Sequence, residues 1–321
     1  MFNILDEKLI DFTEVKRRQG GYIGANGKKI PIEYENEVYM LKFPGVAKIN
    51  DNMHYTNGGI SEYIGCHIFD EIGIPVQKTL LGKYLVNGEY KLVVACKDFT
   101  FIDEVDDTID LMDFVATKNT VIDSPRSGKG TELADVLDAI NMQSRLDPEI
   151  VLKRFWDMFV VDAFIGNWDR HNGNWGMLYV KKTDTVLGLA PVFDCGSSLY
   201  PQADETIMKS VLANSEELKL RVYERPLSAI MVDGKKINYY SFMTSSNDRD
   251  FISAVIRIVP RINMEGIYKI IEETPGIDDL SKSFYKTILK ARKELILDES
   301  LKHALSLDEN RNSVIKRNKG R

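Results

Sequence analysis

Cysteine is scarce in this sequence. The 321 residues include three cysteines, Cys66, Cys96 and Cys195, and no two of them form a Cys-x-x-Cys motif. Cysteines so few and so widely spaced do not supply the disulfide framework on which small secreted domains depend. We therefore expect a protein that works in a reducing compartment.

Long apolar runs are also missing. The sequence contains no stretch of about 18 apolar residues, the length that a membrane-spanning helix needs. Its first residues, MFNILDEKLIDF, are too acidic, and their apolar segment is too short, for a secretory signal peptide. The sequence thus predicts a cytoplasmic protein with no membrane span.

The chain carries no large excess of charge. Its net charge is −6, and it is 44% hydrophobic and 28% charged, which is ordinary for a globular protein. This charge offers no electrostatic basis for nucleic-acid binding, so we expect no nucleic-acid partner. A chain of 321 residues is long enough for one large domain or for two lobes.

The stretch from Phe164 to Ser198 concentrates the chemically active side chains. Asp169, His171 and Asn174 form a compact D-x-H-x-x-N cluster, and Asp194 follows in the sequence F-D-C-G. Phosphoryl transfer uses such a set, because one carboxylate orients the attacking hydroxyl while an amide oxygen and a second carboxylate hold Mg²⁺. Taken singly, these residues also suit polar turns. Their joint pattern favours a kinase-like site.

The segment between the two acidic motifs has the pattern of a β-hairpin. Met177–Val180 is an apolar strand, Lys181–Asp184 a polar turn and Thr185–Leu189 a returning strand. Because a hairpin brings its two ends together, we expect Asp194 to lie beside Asn174.

A second candidate region lies near the start of the chain. The stretch from Arg17 to Lys29 is basic and rich in glycine, which lets backbone N–H groups approach a phosphate closely, with charge added by Lys28 or Lys29. The Asn26-Gly27 pair is equally consistent with a simple hairpin turn.

A strand that begins at Glu37 leads to Lys42. Met40 and Lys42 share one face of this strand, so we expect Lys42 to point inward, where it needs an acidic partner. The predicted helix from Gly59 to Ile72, which ends at Gly73, offers Glu62, whose neighbours are apolar. A strand lysine paired with a helix glutamate positions the phosphates of ATP in kinases. Asp70 and Glu71 on the same helix remain alternatives.

Further elements follow from capping and periodicity. Gln77–Val86 and Tyr90–Ala95 are predicted strands around an Asn87-Gly88 turn. A core helix is predicted to begin at Asp147 and to deliver the D-x-H-x-x-N loop. The remaining predicted helices span residues 132–143, 248–259, 264–273 and 278–307.

These motifs resemble those of the HipA-like serine/threonine kinases. That family has the order D-x-H-x-x-N and then P-[LV]-[YF]-D, which Asp169, His171, Asn174, Pro191 and Asp194 match. The phosphoinositide-kinase superfamily, with D-R-H-x-x-N and D-F-G, is a competing parent. The resemblance extends from about residue 24 to residue 200.

The resemblance implies an α+β, two-lobed protein-kinase-like fold. Residues 1–95 would form a small β-rich N-lobe with the phosphate loop and the nucleotide lysine. Residues 96–321 would form a mainly helical C-lobe with the catalytic and metal loops, and the two lobes would make a single kinase domain.

The resemblance also assigns roles to individual residues. The catalytic set would be Asp169 as the base, Asn174, and His171 as support for the loop. Asn174 and Asp194 would be the metal ligands. The nucleotide would be held by Gly24, Lys28, Lys42, Glu62, the inter-lobe crossing Ala95–Cys96–Lys97, His171 and Phe193.

The function that follows is an ATP- and Mg²⁺-dependent serine/threonine protein kinase that also autophosphorylates. A phosphoinositide or small-molecule kinase and an inactive nucleotide-binding module are the alternatives. Cys195–Met208 contains no Lys or Arg and carries Asp204 and Glu205, which disfavours an anionic lipid headgroup. Within the family the chain most resembles a short type that enters host cells. This implies export by a non-Sec route and host-cell protein partners.

Overall fold

A computed structural model describes residues 3–19, 28–45, 57–102, 108–112, 114 and 131–319, with side chains up to residue 310. Its N-terminal part is built on a five-stranded sheet in the order β1-β4-β5-β3-β2. The β1–β4 pair is parallel and the other pairs are antiparallel. The strands are β1 (Ile10–Asp11), β2 (Lys29–Tyr34), β3 (Glu37–Lys42), β4 (Thr79–Val86) and β5 (Glu89–Lys97).

The two faces of this sheet have different partners, because side chains alternate along each strand. Tyr39 and Leu41 join a small apolar cluster with Phe12 and Ile32 on one face. The opposite face, which carries Lys42, packs on helix α1 (Gly58–Ile72). The predicted inward position of Lys42 is therefore confirmed.

Local sequence signals set the ends of these elements. Asn87 and Gly88 both have positive φ, as the tight turn between β4 and β5 requires. Helix α1 ends at Gly73, whose φ of 78° lets its N–H bond to the carbonyl of Asp70 at 2.8 Å. Both stop signals were predicted from the sequence.

Helix α3 (Pro148–Ile165) is the central element of the C-terminal part. Asp147 caps it by accepting a hydrogen bond from the N–H of Glu149 at 3.0 Å, and Pro148 occupies the first turn. Every side chain from Phe155 to Ile165 is buried, which confirms the predicted core helix. Its C-terminal end delivers residues 167–174 to the edge of the core.

A three-stranded antiparallel sheet lies beside this loop. Strands β7 (Met177–Val180) and β8 (Thr185–Leu189) form the predicted hairpin with the predicted bounds. A third strand, β6 (Ile109–Met112), pairs with β7 and was not predicted. Its pairing depends on residues far away in the sequence, which local patterning does not reveal.

Helices complete the C-terminal part. They are α2 (Leu133–Met142), α4 (Glu205–Ala213), α5 (Ser215–Tyr223), α6 (Tyr239–Ser245), α7 (Arg249–Ile258), α8 (Met264–Glu273), α9 (Asp279–Arg292) and α10 (Asp298–Lys319). A π-helical turn, Lys293–Leu297, separates α9 from α10 within the predicted 278–307 helix. A hairpin of β9 (Leu227–Val232) and β10 (Lys235–Asn238) interrupts the helices and was not predicted. None of the helices described is long and apolar enough to span a membrane.

Candidate active site

A buried ion pair positions the loop that follows α3. The guanidinium of Arg170 donates from Nε to Asp162 Oδ2 at 2.9 Å and from Nη2 to Asp162 Oδ1 at 3.2 Å. Both side chains are almost fully enclosed. Burial raises the pKa of Asp162, but the two bonds to an always-charged guanidinium keep the pair ionised.

Arg170 also joins the two acidic motifs. Its Nη1 donates to the carbonyl of Asn174 at 2.9 Å and to the carbonyl of Phe193, the residue that precedes Asp194. One guanidinium therefore holds the start of the F-D-C-G segment against the D-x-H-x-x-N loop. The expectation that Asp194 and Asn174 come together is met through this bridge.

Hydrogen bonds within the loop orient its functional side chains. Asn174 donates from Nδ2 to the carbonyl of Asp169 at 2.8 Å, so its Oδ1 points away from that bond. Asn167 accepts from the N–H of Asp169 at 3.0 Å. His171 accepts on Nδ1 from the N–H of Gly173 at 3.0 Å, which places the remaining proton of a neutral ring on Nε2.

The Asp169 carboxylate makes no hydrogen bond with any described residue, unlike the buried Asp162. Burial raises its pKa above the ordinary value, and the charge of Asp194 adds to that rise. His171, Arg170 and Lys236 act in the opposite direction. The group is thus a carboxylate left free at the loop surface, as a residue that accepts a substrate hydroxyl requires.

Lys42 joins the N-terminal sheet to both α1 and the F-D-C-G segment. Its ammonium lies 3.0 Å from Glu62 Oε2 and 3.0 Å from Asp194 Oδ1. Glu62 is buried and accepts a further bond from the N–H of Cys195 at 3.2 Å, whereas Asp70 and Glu71 are exposed. Of the three candidate acids on α1, Glu62 is therefore the one that contacts Lys42.

Charge–charge contacts shift the pKa values of Lys42 and Asp194. Burial alone would lower the pKa of Lys42, but Asp194 and Glu62 raise it well above the ordinary value. Lys42 in turn lowers the pKa of Asp194 to about 2. Asp194 also has a φ of 56°, a left-handed conformation that costs energy for a residue with a side chain. Such strain is concentrated at functional sites.

The oxygen atoms around this triad suit a hard divalent cation. Asn174 Oδ1 and the Asp194 oxygen that does not contact Lys42 are amide and carboxylate donors, which Mg²⁺ prefers. Lys42 contacts the carboxylates of Glu62 and Asp194, and no cation among the described residues contacts that of Asp169, so these carboxylates outnumber the cations bonded to them. Among the described residues no cluster of three or more His, Cys, Asp or Glu could hold a metal, so phosphate and water would complete the shell.

The predicted phosphate loop lies partly outside the described residues. Gly24 lies outside the described residues. Lys28 is exposed, and its ammonium lies 5.4 Å from the centre of the Phe43 ring. Lys29 pairs with Lys42 across β2 and β3, so their side chains share the face that looks towards Asp194, whose pKa Lys29 helps to lower. The sequence left Lys28 and Lys29 as alternatives. Lys29 is the one that shares the face of the sheet on which Lys42 contacts Glu62 and Asp194.

The predicted inter-lobe crossing falls inside a strand. Ala95 and Cys96 are buried in β5 between β3 and β4. Lys97 donates its N–H to the carbonyl of Lys78 at 2.8 Å and accepts from Gln77 Nε2 at 2.8 Å. The prediction that these three residues offer their backbone to adenine does not fit this pairing.

Phe99 is a residue that the sequence reasoning missed. Its backbone N–H and C=O form no hydrogen bond with any described residue, and its ring lies 5.2 Å from that of Phe193. Both rings pack on a small apolar cluster of Ile109, Leu178 and Ala190. This arrangement sets an apolar wall beside free backbone groups, and Phe193, which the sequence predicted to hold the nucleotide, is part of that wall.

Arg170 and Asp162 were also missed. The signal was present in the sequence, because an acid in the middle of an otherwise apolar helix needs a cationic partner. Arg170 stands within the D-x-H-x-x-N motif, but its position was treated as variable.

The fold and the site together define a class of protein. A strand lysine bonded to a helix glutamate, beside a loop Asp, an Asn and a second Asp, is the arrangement of kinase-like phosphotransferases. Residues 22–261 match the family model of the HipA-like C-terminal domain, which is well over half of the chain. The chain belongs to this family.

Similar proteins agree with that assignment. The chain is 46% identical to the serine/threonine-protein kinase CtkA of Helicobacter pylori (strain J99), over 93% of this chain and 89% of that protein. The crystal structure of the H. pylori proinflammatory kinase CtkA matches with a TM-score of 0.84, over 93% of this chain and 98% of that one, at 46% identity.

A more distant structure shares the fold. HipA, in a Shewanella oneidensis MR-1 toxin–antitoxin complex with HipB and operator DNA, matches with a TM-score of 0.55 at 17% identity, over 89% of this chain and 67% of that one. The predicted kinase-like fold, HipA-like family and serine/threonine kinase class are confirmed, as is the likeness to the short type. The roles of individual residues stay predictions.

Proposed function

We propose that this chain transfers the γ-phosphoryl group of ATP to serine or threonine hydroxyls of proteins, its own included. The observation that carries the proposal is the contact of Lys42 with both Glu62 and Asp194, 3.0 Å from each, beside the free carboxylate of Asp169. An arrangement that served stability alone would not leave carboxylates in excess of cations.

Asp169 is the proposed base. Its carboxylate orients the acceptor hydroxyl and takes its proton as the new P–O bond forms, while the bond between the γ-phosphorus and the β–γ bridging oxygen breaks and ADP leaves with that electron pair. Its raised pKa favours proton acceptance. His171 and Asn174 hold the loop that presents it, through bonds to Gly173 N–H and to the Asp169 carbonyl.

Lys42 is the proposed phosphate-binding cation. Its two carboxylate contacts fix the ammonium in the cleft, so little further ordering is needed when phosphate oxygens bind. Asn174 and Asp194 would hold Mg²⁺ through the oxygens described above. When bound, the metal would neutralise phosphate charge and polarise the phosphoryl group.

The proposed adenine site lies at the end of β5. We place it at the backbone of Phe99 and against the ring of Phe193, instead of at Ala95–Lys97. Lys29, which shares the Lys42 face of the sheet, would contact the phosphates. We accordingly propose a single kinase domain whose N-lobe extends to the end of β5 at Lys97, slightly beyond the predicted boundary at residue 95.

A protein acceptor is favoured by the surface beyond Asp194 and by the similar proteins. Asp204 and Glu205 begin helix α4 in a segment without a basic residue before Lys209, which would repel a phosphorylated headgroup. CtkA is a serine/threonine-protein kinase described as proinflammatory, which supports the further proposal that the acceptors include host-cell proteins.

Mass spectrometry tests this function. The purified chain is incubated with ATP and Mg²⁺, alone and with a mixed protein acceptor, and phosphosites are mapped. We expect phosphoserine or phosphothreonine on the wild type. Asp169→Asn should show rates lower by about 10²–10⁴, because it lacks the base. Asp70→Asn, an exposed acid on α1, is the matched control and should behave as the wild type.

Two outcomes would contradict the proposal. Near-wild-type turnover in Asp169→Asn would remove Asp169 from its assigned role. Labelled phosphoinositide from mixed vesicles, with no phosphoprotein, would move the chain to the lipid-kinase alternative.

A further inference from the structure

The main chain of Asp169, the proposed base, is held by bonds on both of its sides. Its carbonyl accepts from the N–H of His171 at 2.8 Å and from Asn174 Nδ2 at 2.8 Å, which are bonds within the D-x-H-x-x-N motif. Its N–H donates to Asn167 Oδ1 at 3.0 Å. Because the Asp169 carboxylate forms no hydrogen bond with a described residue, its position depends on these main-chain bonds.

The side chain of Asn167 is fixed in one orientation. It is fully enclosed, and its Nδ2 donates to Asp162 Oδ1 at 3.0 Å, while its main-chain N–H donates to the carbonyl of Asp162 at 2.9 Å. A carboxylate oxygen only accepts, so the amide nitrogen must face Asp162 and the amide oxygen must face the N–H of Asp169. Asn167 therefore links the buried Asp162–Arg170 pair to the proposed base.

Tyr239 holds the main chain of Asn167. It is the first residue of α6, and its hydroxyl donates to the carbonyl of Asn167 at 2.5 Å. The side chain is almost fully enclosed, and its ring packs against that of Phe159, with 5.5 Å between the ring centres. No other described residue donates to this carbonyl, so the hydroxyl connects α6 to Asn167 and, one bond further, to Asp169.

The end of α3 is held by a different residue. Arg292 donates from Nε and Nη2 to the carbonyl of Ala163, at 3.0 and 2.7 Å, and from Nε to the carbonyl of Phe164 at 3.1 Å. These bonds do not involve the Tyr239 hydroxyl. Loss of that hydroxyl should therefore disturb Asn167 and Asp169 and leave the helix in place.

We propose that Tyr239 is a positioning residue for phosphoryl transfer, because its hydroxyl, through Asn167, fixes the Asp169 carboxylate relative to the acceptor hydroxyl. This inference rests on the proposed kinase function. A base acts only within hydrogen-bonding reach of the proton that it takes, and a misplacement of about 1 Å can cost about 10²-fold in rate. Nucleotide binding should not depend on the Tyr239 hydroxyl, because Lys42 and Asp194 are held by other contacts.

The first test compares Tyr239→Phe with Tyr285→Phe. Both remove the hydroxyl of a buried tyrosine, but that of Tyr285 has no hydrogen-bond partner among the described residues, so Tyr285→Phe is the matched control. For Tyr239→Phe we expect kcat to fall by about 10-fold, since the remaining bonds of Asp169 limit its shift. The KM for ATP should change by less than about twofold. Tyr285→Phe should match the wild type in both.

A double variant shows whether the hydroxyl acts through Asp169. In the Asp169→Asn background there is no base to position, so Tyr239→Phe should lower the residual rate by less than about twofold. If Tyr239→Phe lowers the rate by the same factor in both backgrounds, the hydroxyl acts independently of Asp169, and the inference is wrong.

Variants of Asn167 give a second measurement, which decides the matter if Tyr239→Phe does not fold. Asn167→Ala and Asn167→Ser both lose the bond to Asp162. The serine retains a side-chain oxygen two residues before the N–H of Asp169, the spacing at which serine closes a turn. We expect Asn167→Ser to have a kcat several-fold above that of Asn167→Ala, at a similar melting temperature. Equal kcat values would overturn the inference, because Asn167 would not position Asp169.

The possible failures are distinguishable. Wild-type kcat in Tyr239→Phe, with Asp169→Asn strongly impaired, would leave the kinase proposal in place and overturn this inference. A raised KM for ATP with unchanged kcat would place the effect of Tyr239 in nucleotide binding and would overturn it as well. Full activity of Asp169→Asn would overturn the proposed function and, with it, the role of Tyr239.

Discussion

Two charge clusters meet at the catalytic loop, and they are built differently. The first, Asp162 with Arg170, has one acid and one base, both enclosed, and the guanidinium makes further bonds to two carbonyls. The second, Lys42 with Glu62 and Asp194, has two acids and one base. Its Asp194 side chain retains 41% of its exposure, whereas that of Glu62 retains 2%.

The difference in charge balance and exposure indicates that the first cluster stabilises the fold and that the second can bind a ligand. The Asp162–Arg170 pair is balanced in charge and fully bonded, so it has nothing left to offer a ligand and serves to hold three segments together. The Lys42 cluster has an excess of negative charge and an exposed carboxylate, so it can still bind a cation. The first cluster stabilises the loop, and the second is available for chemistry.

Removal of Arg170 should have the largest effect on stability. Arg170→Met leaves Asp162 buried and charged without its cation, which costs about 3–5 kcal/mol in the free energy of unfolding. It should also release the Phe193 carbonyl and lower activity. Chemical denaturation monitored by tryptophan fluorescence measures the loss.

A double variant sharpens that result. Asp162→Leu combined with Arg170→Met removes both charges and should regain much of the lost stability, because no unpaired charge remains. Activity should stay low, since the bridge to Asn174 and Phe193 is still absent. If Arg170→Met is as stable as the wild type, the pair does not hold the loop.

Removal of Lys42 should affect nucleotide binding more than the fold. Lys42→Met deletes a charge-assisted contact with phosphate, and we expect affinity for ATP to fall by about 10- to 100-fold. Stability should also fall, because Glu62 is left buried beside Cys195 without its cation. Titration calorimetry and thermal denaturation measure the two effects separately.

Glu62→Gln in the Lys42→Met background separates the two roles. The double variant should recover stability, because the buried charge is gone, but it should not recover ATP affinity. Recovery of both would mean that Lys42 and Glu62 act only as a structural pair. Recovery of neither would mean that the unpaired charge of Glu62 is not what destabilises Lys42→Met.

The smallest effect is expected at an ion cluster on the surface. Lys97, followed by Tyr39 and Lys78, lowers the pKa of Glu37 from its ordinary value of 4.5 to about 2. Since the pKa is lower in the folded state, the stabilisation is present above about pH 4.5 and is lost as the pH falls towards 2. Partly exposed pairs of this kind contribute about 0.2–1 kcal/mol.

Thermal denaturation of Glu37→Gln across pH tests this contribution. The variant should melt slightly below the wild type at pH 7, and the difference should vanish near pH 2. A difference that persists at pH 2 would show that shape, not charge, is what the substitution changes.

Sequence patterns predicted much of this architecture. The β7–β8 hairpin, the Asp147 cap and the Gly73 stop were predictable because each depends on residues adjacent in the chain. The pairing of Lys42 with Glu62 was also within reach, since face alternation and apolar neighbours pointed both residues inward.

The remaining features depend on distant partners. β5 extends to Lys97 because β3 and β4 flank it on both sides. The backbone N–H and C=O groups that form no hydrogen bond with a described residue therefore belong to Phe99, beyond the end of the strand. The bridging role of Arg170 depends on Asp162 and on Phe193, 23 residues further along the chain. The β9–β10 hairpin had its Asp233-Gly234 turn signal, but its strands were hidden in a region where helical patterns dominate.

The central claim is that the Lys42 cluster is a metal–nucleotide site, and Asp194 tests it most directly. Titration calorimetry should compare ATP binding with Mg²⁺ and with EDTA, for the wild type, Asp194→Asn and the Asp70→Asn control. We predict that Mg²⁺ strengthens binding to the wild type and to the control. In Asp194→Asn this gain should be lost, while metal-free affinity is retained because Lys42 is still present. An equal gain from Mg²⁺ in Asp194→Asn would contradict the account.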